Sequence, residues 1–308
     1  MSAAQARRGR VIAAFAIIYV VWGSTYLFMR FAVETVPPLA MSGVRFFTAG
    51  VLLYVIARVR GALTAGDPAW RRHAVVGILL TAGNATISWA VTRVPSGVAS
   101  LLVAMTPCWM VLFDWLTPHG KRPSLGVIAG VALGLAGTAI LVGPHSMGGT
   151  AVDPLGAAVA LLGTMSWAAG SIYSRTIPKL SSGLLSSAVQ LMSGGAVVLL
   201  AGVAAGQLNG FHLSNVSVRS GVSLLYLIVI GSLVAFTAYM YLLSVISPAV
   251  VATYAFVNPV VAILLGAMFA GEALSGRIVA AGFVIVAAVA LITLAGKART
   301  PSPVREAP

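Results

Sequence analysis

Residues 22 to 34, WGSTYLFMRFAVE, place aromatic, hydroxyl and basic side chains at the end of a long apolar run. The rings of Trp22 and Tyr26 can bind an apolar group or, through their faces, a cation. The hydroxyl of Thr25 can donate and accept hydrogen bonds. Trp22, Tyr26 and Arg30 follow one another at intervals of four residues, which places them on one face of a helix. This face could therefore bind an amphipathic small molecule.

Arg45 and Asp114 are charged residues inside apolar runs, where a charge is unfavourable by up to about 3 kcal/mol. Arg45 could hold a ligand carboxylate in a bidentate contact. We favour the alternative, in which its side chain reaches the membrane interface or pairs with Glu34, because it lies only a third of the way along its run. Asp114 could be a protonation site for ion coupling, or it could pair with Lys121 or Arg122, which we favour.

Asn84 and Ser88 lie one helical turn apart, so an amide and a hydroxyl share one face of the third apolar run. They could contact a zwitterionic ligand, or they could form the hydrogen bonds that such residues make between helices in membranes. Tyr239 and Tyr254 lie deep within their runs and could offer ring faces to a ligand. The other candidate binding residues are Trp167, Ser171 and Asn258.

The composition indicates that these residues belong to a membrane protein. Of 308 residues, 59% are hydrophobic and 8% are charged, whereas a soluble domain has about 25% charged residues. The net charge of +13 does not indicate a nucleic-acid partner, because the basic residues cluster between apolar runs. The four histidines lie at the ends of runs or between them, so we expect no catalytic site, metal site or cofactor.

Ten apolar runs are long enough to cross a bilayer as helices. They cover residues 11–30, 38–57, 73–92, 97–116, 125–143, 155–175, 184–205, 220–243, 249–270 and 277–296. Fourteen Lys and Arg residues lie on the side of the two termini and four lie on the other side. Basic loops face the cytoplasm, so we expect a multi-pass protein with both termini cytoplasmic.

The chain also contains an internal repeat. An offset of 145 residues aligns Trp22 with Trp167 and Arg30 with Arg175. The predicted repeats are residues 11–143 and 155–296, between a tail at residues 1–10 and another at residues 297–308. Each repeat has five helices, and because five is odd the second must enter the membrane from the opposite side. Inverted repeats of this kind are common in secondary transporters, which bind substrate between the halves. The fold class is therefore predicted as all-α, with ten transmembrane helices in two inverted five-helix repeats.

Pro107 and Pro259 fall near the middle of the fourth and ninth runs and are aligned by an offset of 152 residues. Proline removes a backbone hydrogen bond and clashes with the preceding turn, so both positions predict a helix kink. Interrupted helices at matched positions of two halves are typical of transporter binding sites. A kink that serves only packing is the alternative.

Four segments resemble the EamA-type permeases of the drug/metabolite transporter superfamily, and in detail the YedA-like bacterial subgroup. They are WGSTYLFMRFAVETVPPLAMSGVRFFTAGVLL (22–53), VPSGVASLLVAMTP (94–107), SPAVVATYAFVNPVVAILLG (247–266) and GEAL (271–274). Where many relatives have a second GE after the fourth helix, this chain has LTPHGKRPS (116–124). The resemblance implies a ten-helix carrier of the bacterial inner membrane, from a family that exports amino acids, metabolites or toxic compounds.

Together these features predict a secondary transporter that works by alternating access and exports small metabolites such as amino acids or amphipathic toxic compounds. Its partners would be a small-molecule substrate and membrane lipid. The sequence leaves the identity of the substrate, the direction of transport, the coupling ion and the oligomeric state open. Its site would combine Trp22 and Trp167 as wall residues with Asn84 and Asn258 as polar contacts. A channel, a membrane scaffold and an intramembrane enzyme are the alternatives, of which the last lacks the required cluster of catalytic side chains.

Overall fold

The computed structural model describes residues 3–61, 69–117, 122–142, 152–178, 180–245, 251 and 254–297, and within these ranges all regular structure is helical. The α-helices are α1 (Ala3–Ala32), α2 (Pro38–Val59), α3 (Ala69–Ala90), α4 (Ser96–Val103), α5 (Thr106–Trp115), α6 (Leu125–Val142), α7 (Pro154–Ser174), α8 (Gly183–Ala204), α9 (Val218–Tyr226), α10 (Ala235–Val245), α11 (Tyr254–Phe269) and α12 (Gly276–Lys297). A 3-10 turn covers Leu213–Asn215, and a π-helix, Leu227–Val234, joins α9 to α10.

Eight segments among the described residues are helices long and apolar enough to cross a membrane. They are Arg7–Ala32, Pro38–Val59, Ala69–Ala90, Ser96–Trp115, Leu125–Val142, Pro154–Ser174, Gly183–Ala204 and Val218–Tyr239. Two shorter apolar helices follow, at Val257–Phe269 and Gly276–Ile292. They fall within the predicted ninth and tenth spans, and residues 246–250, at the predicted start of the ninth, lie outside the described residues.

Local sequence signals account for several helix starts. Asp153 precedes α7 and its carboxylate accepts a hydrogen bond from the Leu155 amide at 2.9 Å. Ser182 and Ser217 cap α8 and α9 in the same way, each accepting from an amide three residues on. These short side chains satisfy amides that have no partner inside the helix. The polar residues between apolar runs therefore fix where the spans begin.

Glycines allow the closest helix contacts. A Cβ atom on Gly43 of α2 would lie 2.7 Å from the Cα of Leu199 in α8, and one on Gly130 of α6 would lie 2.6 Å from Ile292 in α12. Real Cβ atoms do not approach other atoms so closely. Small residues are favoured between membrane helices because they let the backbones pack together. The pairs α2 with α8 and α6 with α12 are thus held at short range.

Helices of the first half pack mainly on helices of the second half. In the first half, α1 contacts α10 and α11, while in the second half α7 contacts α3 and α5. The helix α4 also contacts α11. The residues highlighted in the sequence on α1, α10 and α11 therefore lie where the two halves of the chain meet.

Candidate functional site

An aromatic cluster forms where α1, α10 and α11 meet. The Trp22 ring lies between Tyr239 of α10, at a centroid distance of 5.0 Å, and Tyr254 of α11, at 4.9 Å. The two tyrosine rings are 6.1 Å apart. Trp22 and Tyr254 meet edge to face, an arrangement that aromatic quadrupoles favour. The structure thus brings together three of the aromatic residues predicted from the sequence. We call Trp22, Tyr239 and Tyr254 the aromatic cluster.

The π-helix supplies a backbone acceptor next to this cluster. The indole Nε1 of Trp22 donates a hydrogen bond to the carbonyl oxygen of Gly231, at 3.3 Å. The Thr25 hydroxyl donates to the Trp22 carbonyl at 2.6 Å. Short π-helical segments occur often at functional sites, since they leave backbone groups displaced from the ordinary helical ladder.

Arg45 is buried in the bundle, with 4% of its surface exposed. Its Nε donates to the Ser232 hydroxyl at 3.1 Å, and its guanidinium lies 4.7 Å from the centre of the Phe46 ring. Its Nη1 has no hydrogen-bond partner among the described residues. The favoured interpretation from the sequence, in which Arg45 reaches the interface or pairs with Glu34, is therefore wrong. Glu34 instead pairs with Arg219 at 3.4 Å.

Gly231 connects the aromatic cluster to Arg45. A Cβ atom on Gly231 would lie 3.2 Å from Cγ2 of Thr25 and 3.4 Å from Nη2 of Arg45. Tyr26, the residue after Thr25, is 8% exposed. Trp22, Thr25 and Arg45 therefore converge on Gly231, whose lack of a side chain leaves room for Thr25 and Arg45.

Asn258 holds α11 against this region. With its amide oriented to suit its neighbours, the side-chain nitrogen donates to the Tyr19 carbonyl at 3.3 Å and to the Tyr254 carbonyl at 3.2 Å. The residue is 6% exposed. In this structure its amide thus bonds to backbone on α1 and α11 beside the aromatic cluster.

Ser88 and Asn84 occupy different environments. Ser42 of α2 donates to the Ser88 hydroxyl at 2.8 Å, and Ser88 donates to the Asn84 carbonyl and to the Met29 sulfur. Ser88 therefore links α1, α2 and α3. The side-chain oxygen of Asn84 is buried and has no hydrogen-bond partner among the described residues. Such a group is available to a ligand.

Arg45 and Asn84 lie at similar depth in the bundle. The Ser42–Ser88 contact joins one end of α2 and α3, and the Tyr54 and Trp70 rings meet at the other, so the two helices are antiparallel. Arg45 follows Ser42 by three residues and Asn84 precedes Ser88 by four. Both residues are thus about one turn from the serine contact in the same direction.

Trp167 and Ser171 lie elsewhere, on α7. The Ser171 hydroxyl donates to the Trp167 carbonyl at 2.7 Å. The backbone of Gly83 on α3 packs against Trp167, and a Cβ there would lie 3.4 Å from the Trp167 Cβ. The described part of the chain shows no hydrogen bond or ring contact of the Trp167 indole. The structure therefore does not bring the second tryptophan into the aromatic cluster.

The two prolines have different local effects. Helix α4 ends at Val103 and α5 begins at Thr106, so the helix is interrupted immediately before Pro107. Pro259 lies inside α11, which runs through it from Tyr254 to Phe269. The interruption in the first half therefore has no counterpart at the matched proline.

Asp114 lies near the end of α5, where its Oδ1 is 3.4 Å from Nη1 of Arg175. Both side chains are at least half exposed. The ion pair thus links α5 to the residue that follows α7. Lys121 lies outside the described residues, so the pairing of Asp114 with Lys121 or Arg122 stays a prediction.

Glu272 is a site residue that the sequence reasoning did not single out, although its GE motif carried part of the resemblance. Its carboxylate accepts hydrogen bonds from the amides of Ser96, at 2.6 Å, and Gly97, at 3.1 Å, at the start of α4. Arg30 lies 3.6 Å from the same carboxylate and donates to the Val91 carbonyl at 2.9 Å. A carboxylate is stabilised at a helix N-terminus by the free amides and the helix dipole. Glu272 thus fastens α1 and α4 to the residues after α11.

Asp153 forms a further ion pair at a helix end, with Arg93 at 3.0 Å. The hydrogen bond from Arg93 lowers the pKa of the Asp153 carboxyl below its usual range. Each acidic residue in the described part of the chain therefore pairs with an arginine other than Arg45. No three His, Cys, Asp or Glu side chains of the described residues form a group that could hold a metal ion.

These features define a helical protein with membrane-length apolar helices, whose candidate site lies where its two halves meet. The EamA-like transporter family model matches residues 10–143 and, a second time, residues 154–294. The chain belongs to the EamA-like transporter family and carries two copies of its domain. The members of this family are transporters and not enzymes.

Named relatives agree with this assignment. The chain is 40% identical over 280 residues to the uncharacterized inner membrane transporter YedA of Escherichia coli K12. The matched residues cover 90% of this chain and 88% of that protein. It is 26% identical over 299 residues to the uncharacterized transporter YvbV of Bacillus subtilis, with 96% and 95% covered. It is 25% identical over 270 residues to a probable amino-acid metabolite efflux pump of E. coli K12, with 84% and 87% covered. A protein of known crystal structure matches 96% of this chain and 100% of its own, with a TM-score of 0.61 and 21% identity.

Proposed function

We propose that the protein is a secondary transporter of the bacterial inner membrane that exports small metabolites, such as amino acids or amphipathic toxic compounds, by alternating access. The observation that carries this proposal is the position of the aromatic cluster and Arg45, where helices of the two EamA copies meet. Substrate sites of secondary transporters lie at the interface between such repeats. The candidate binding residues are Trp22, Thr25, Tyr26, Arg45, Asn84, Ser88, Trp167, Ser171, Tyr239, Tyr254 and Asn258.

We further propose ten spans arranged as two inverted repeats, with both termini cytoplasmic. The helix contacts support this arrangement, because replacing each helix by its counterpart in the other half gives the same pairs of contacting helices. The contacts of α1 with α10 and α11 correspond to those of α7 with α3 and α5. The pairs α2 with α8 and α6 with α12 correspond to themselves. A two-fold relation between the halves produces this pattern.

Alternating access requires elements that bend while the rest of each half stays rigid. The interruption before Pro107 and the π-helix Leu227–Val234 are such elements, and both adjoin the proposed interface. The first lies in a helix that contacts α7, and the second contacts α1 and α2. We propose that these two segments absorb the change in helix direction during transport.

Export of amino acids or related metabolites is favoured over import because one relative is described as a probable amino-acid metabolite efflux pump. The candidate site fits amphipathic compounds, since it combines three aromatic rings with a buried guanidinium. Asp114 would contribute to ion coupling only if its ion pair with Arg175 opened during the cycle.

Counterflow in proteoliposomes tests the proposal. Vesicles loaded with an unlabelled amino acid or amphipathic drug should accumulate the same labelled compound, with saturable rates that rise with the internal concentration. Empty vesicles and vesicles that contain a known carrier serve as controls. Flux that neither saturates nor responds to internal substrate would instead favour a channel, and absence of flux for the whole panel beside an active carrier would contradict the proposed substrates.

A matched pair of variants tests the site. Trp22→Ala should reduce counterflow without reducing the amount of protein in the membrane, because it removes the ring at the centre of the aromatic cluster. Val59→Ala, an exposed residue at the end of α2, is the control. Equal rates in both variants would remove Trp22 from the site.

A further inference from the structure

Among the described residues, every acidic side chain pairs with an arginine other than Arg45. The chain has six acidic residues, and the four in the described part are Glu34, Asp114, Asp153 and Glu272. Each forms its ion pair at a helix end with another arginine. The remaining two are Asp67 and Glu306, which lie outside the described residues.

The described residues that contact the Arg45 side chain through a hydrogen bond or a ring are neutral. Ser232 accepts from Nε, the Phe46 ring lies against the guanidinium, and Nη1 has no hydrogen-bond partner among the described residues. At the same depth, Asn84 contributes an amide oxygen that also lacks a partner there. A buried guanidinium with a free N–H group attracts an oxyanion, because a charge-assisted hydrogen bond satisfies both partners.

Ser232 fixes the direction of the guanidinium. Its hydroxyl accepts from Arg45 and donates to the Leu227 carbonyl at 2.9 Å, five residues earlier in the π-helix. Both ends of this short chain of hydrogen bonds are therefore held. Ser232 acts as a positioning residue, because it binds Nε of Arg45 while Nη1 has no hydrogen-bond partner among the described residues.

The aromatic cluster alone would suit either an apolar group or a cation. Arg45 decides between charged ligands, because it would repel a cation that entered the same buried region. Gly231 brings Arg45 next to Thr25 and its carbonyl binds Trp22, so the guanidinium and the cluster belong to one site.

We propose that the charged group recognised on the substrate is an anion. The substrate is an amphipathic molecule whose carboxylate binds Nη1 of Arg45 and whose apolar part lies against the aromatic cluster. This inference rests on the proposed transport function and specifies the substrate class of that same site. A positively charged ammonium group on the substrate is not required.

Three probes with one carbon skeleton test the inference. They are 3-phenylpropionate, which is an anion at pH 7, its neutral amide 3-phenylpropionamide, and the cation 3-phenylpropylamine. Calorimetric titration of the purified full chain in detergent measures each Kd. We expect the anion to bind about tenfold more tightly than the amide and the cation to bind more weakly still, because only the anion forms a charge-assisted bond.

Variants locate the selectivity. Arg45→Gln should abolish the preference for anion over amide, Arg45→Lys should retain part of it, and Ser232→Ala should reduce it while leaving the affinity for the amide unchanged. Arg58→Gln, which changes an exposed arginine on the same helix, should leave the preference intact. The wild-type preference among the three probes needs no variant, so it decides the question even if Arg45→Gln does not fold.

A cation that binds as tightly as the anion, a preference that survives in Arg45→Gln, or no binding of any probe would each overturn the inference. Counterflow measurements distinguish a failure of the anion assignment from a failure of the transport proposal. Saturable counterflow of a cationic compound through the same site would overturn only the anion assignment. Anion binding without any counterflow would overturn only the transport proposal.

Discussion

The two EamA copies place the same residue types at corresponding positions but surround them differently. In the first copy Trp22 contacts two tyrosine rings and a backbone carbonyl of the other copy. In the second copy Trp167 packs through its backbone and Cβ against Gly83. The copies thus share helix positions, while the aromatic cluster forms only around the tryptophan of the first copy.

Arg45 and Gln190 occupy corresponding positions, also 145 residues apart, and they too differ in their surroundings. Arg45 brings a charge with one free N–H group into the interface between the copies. Gln190 donates to Nδ1 of His73 at 3.0 Å, and Nε2 of that histidine is 3.1 Å from the Pro178 carbonyl. The side-chain nitrogen of the neutral residue is thus bound within the bundle, whereas Nη1 of the charged residue has no partner among the described residues. Duplication preserved the scaffold, and the candidate chemistry differs between the copies.

Arg30 and Arg175 extend the comparison to the helix ends. Arg30 pairs with Glu272, whose side chain is 9% exposed, while Arg175 pairs with Asp114, whose side chain is 50% exposed. Shielded pairs with additional hydrogen bonds stabilise more than exposed ones, which contribute about 0 to 1 kcal/mol. The Arg30–Glu272 pair should therefore hold its end of the bundle more firmly than the Arg175–Asp114 pair.

The largest difference is expected in the free energy of unfolding, between the variants Glu272→Ala and Asp114→Ala. The first removes a carboxylate that caps α4 and leaves two amides without their acceptor, which should cost about 2 to 3 kcal/mol. The second should cost less than about 1 kcal/mol. Unfolding in mixed micelles with increasing dodecyl sulfate measures both. Equal losses would show that the two ends are fastened alike.

Trp22→Ala and Trp167→Ala should differ next most strongly, in transport. Loss of two ring pairs around Trp22, each worth about 0.5 to 1.5 kcal/mol, should lower the counterflow rate about tenfold. Trp167→Ala should lower it about twofold or less, because its indole has no ring pair in the part of the chain that the structure describes. Rates are normalised to the amount of reconstituted protein. A greater loss in Trp167→Ala would reverse the comparison between the copies.

A smaller difference in the free energy of unfolding is expected between the variants Arg30→Gln and Arg175→Gln. The first removes the ion pair with Glu272 and the hydrogen bond to the Val91 carbonyl, and should cost about 1 kcal/mol. The second removes only an exposed pair, so its loss should be about 0.5 kcal/mol or less. The same micelle titration applies. The double variant Arg30→Gln with Glu272→Ala should lose less than the sum of both, and full additivity would argue against a direct pair.

The smallest effect concerns Asp153, where the two copies meet through Arg93. Its folded pKa lies below the ordinary value, so the ion pair stabilises the protein above the ordinary pKa of aspartate, about 3.9, and this contribution is lost as the pH falls through the lowered pKa. Asp153→Asn should therefore lower the melting temperature slightly at pH 7, where the wild type has the ion pair, and the two melting temperatures should converge on the acidic side. An unchanged acid profile would contradict the assigned ion pair.

Helix positions could be predicted well because span length and apolar composition are local properties. The second run was predicted at residues 38–57 and α2 covers Pro38–Val59. The π-helix was not predicted, because the sequence there reads as part of a continuous apolar run. The start of α1 at Ala3, eight residues before the predicted start, shows that a basic segment can continue a helix beyond the apolar run.

The site was only partly predictable, since its contacts join residues far apart in the chain. Trp22 meets Gly231 across 209 positions, and Arg45 meets Ser232 across 187. The depth argument for Arg45 failed because it considered the distance to the interface and not the neighbours on other helices. The function of Glu272 was likewise hidden, because nothing in the sequence indicates that it meets the start of α4.

The π-helix has a consequence for how the chain tolerates insertions and deletions. A segment with one extra residue in its turn can close into an ordinary α-helix when one residue is deleted. Everything after the deletion would keep its orientation, because closing the wide turn takes up the missing residue. A deletion within Leu227–Val234 would therefore leave Tyr239 facing Trp22, whereas a deletion in α10 before Tyr239 would turn this residue by about 100° around the helix axis. The π-helix thus allows the length of the chain to change there while the same side of α10 faces the first copy.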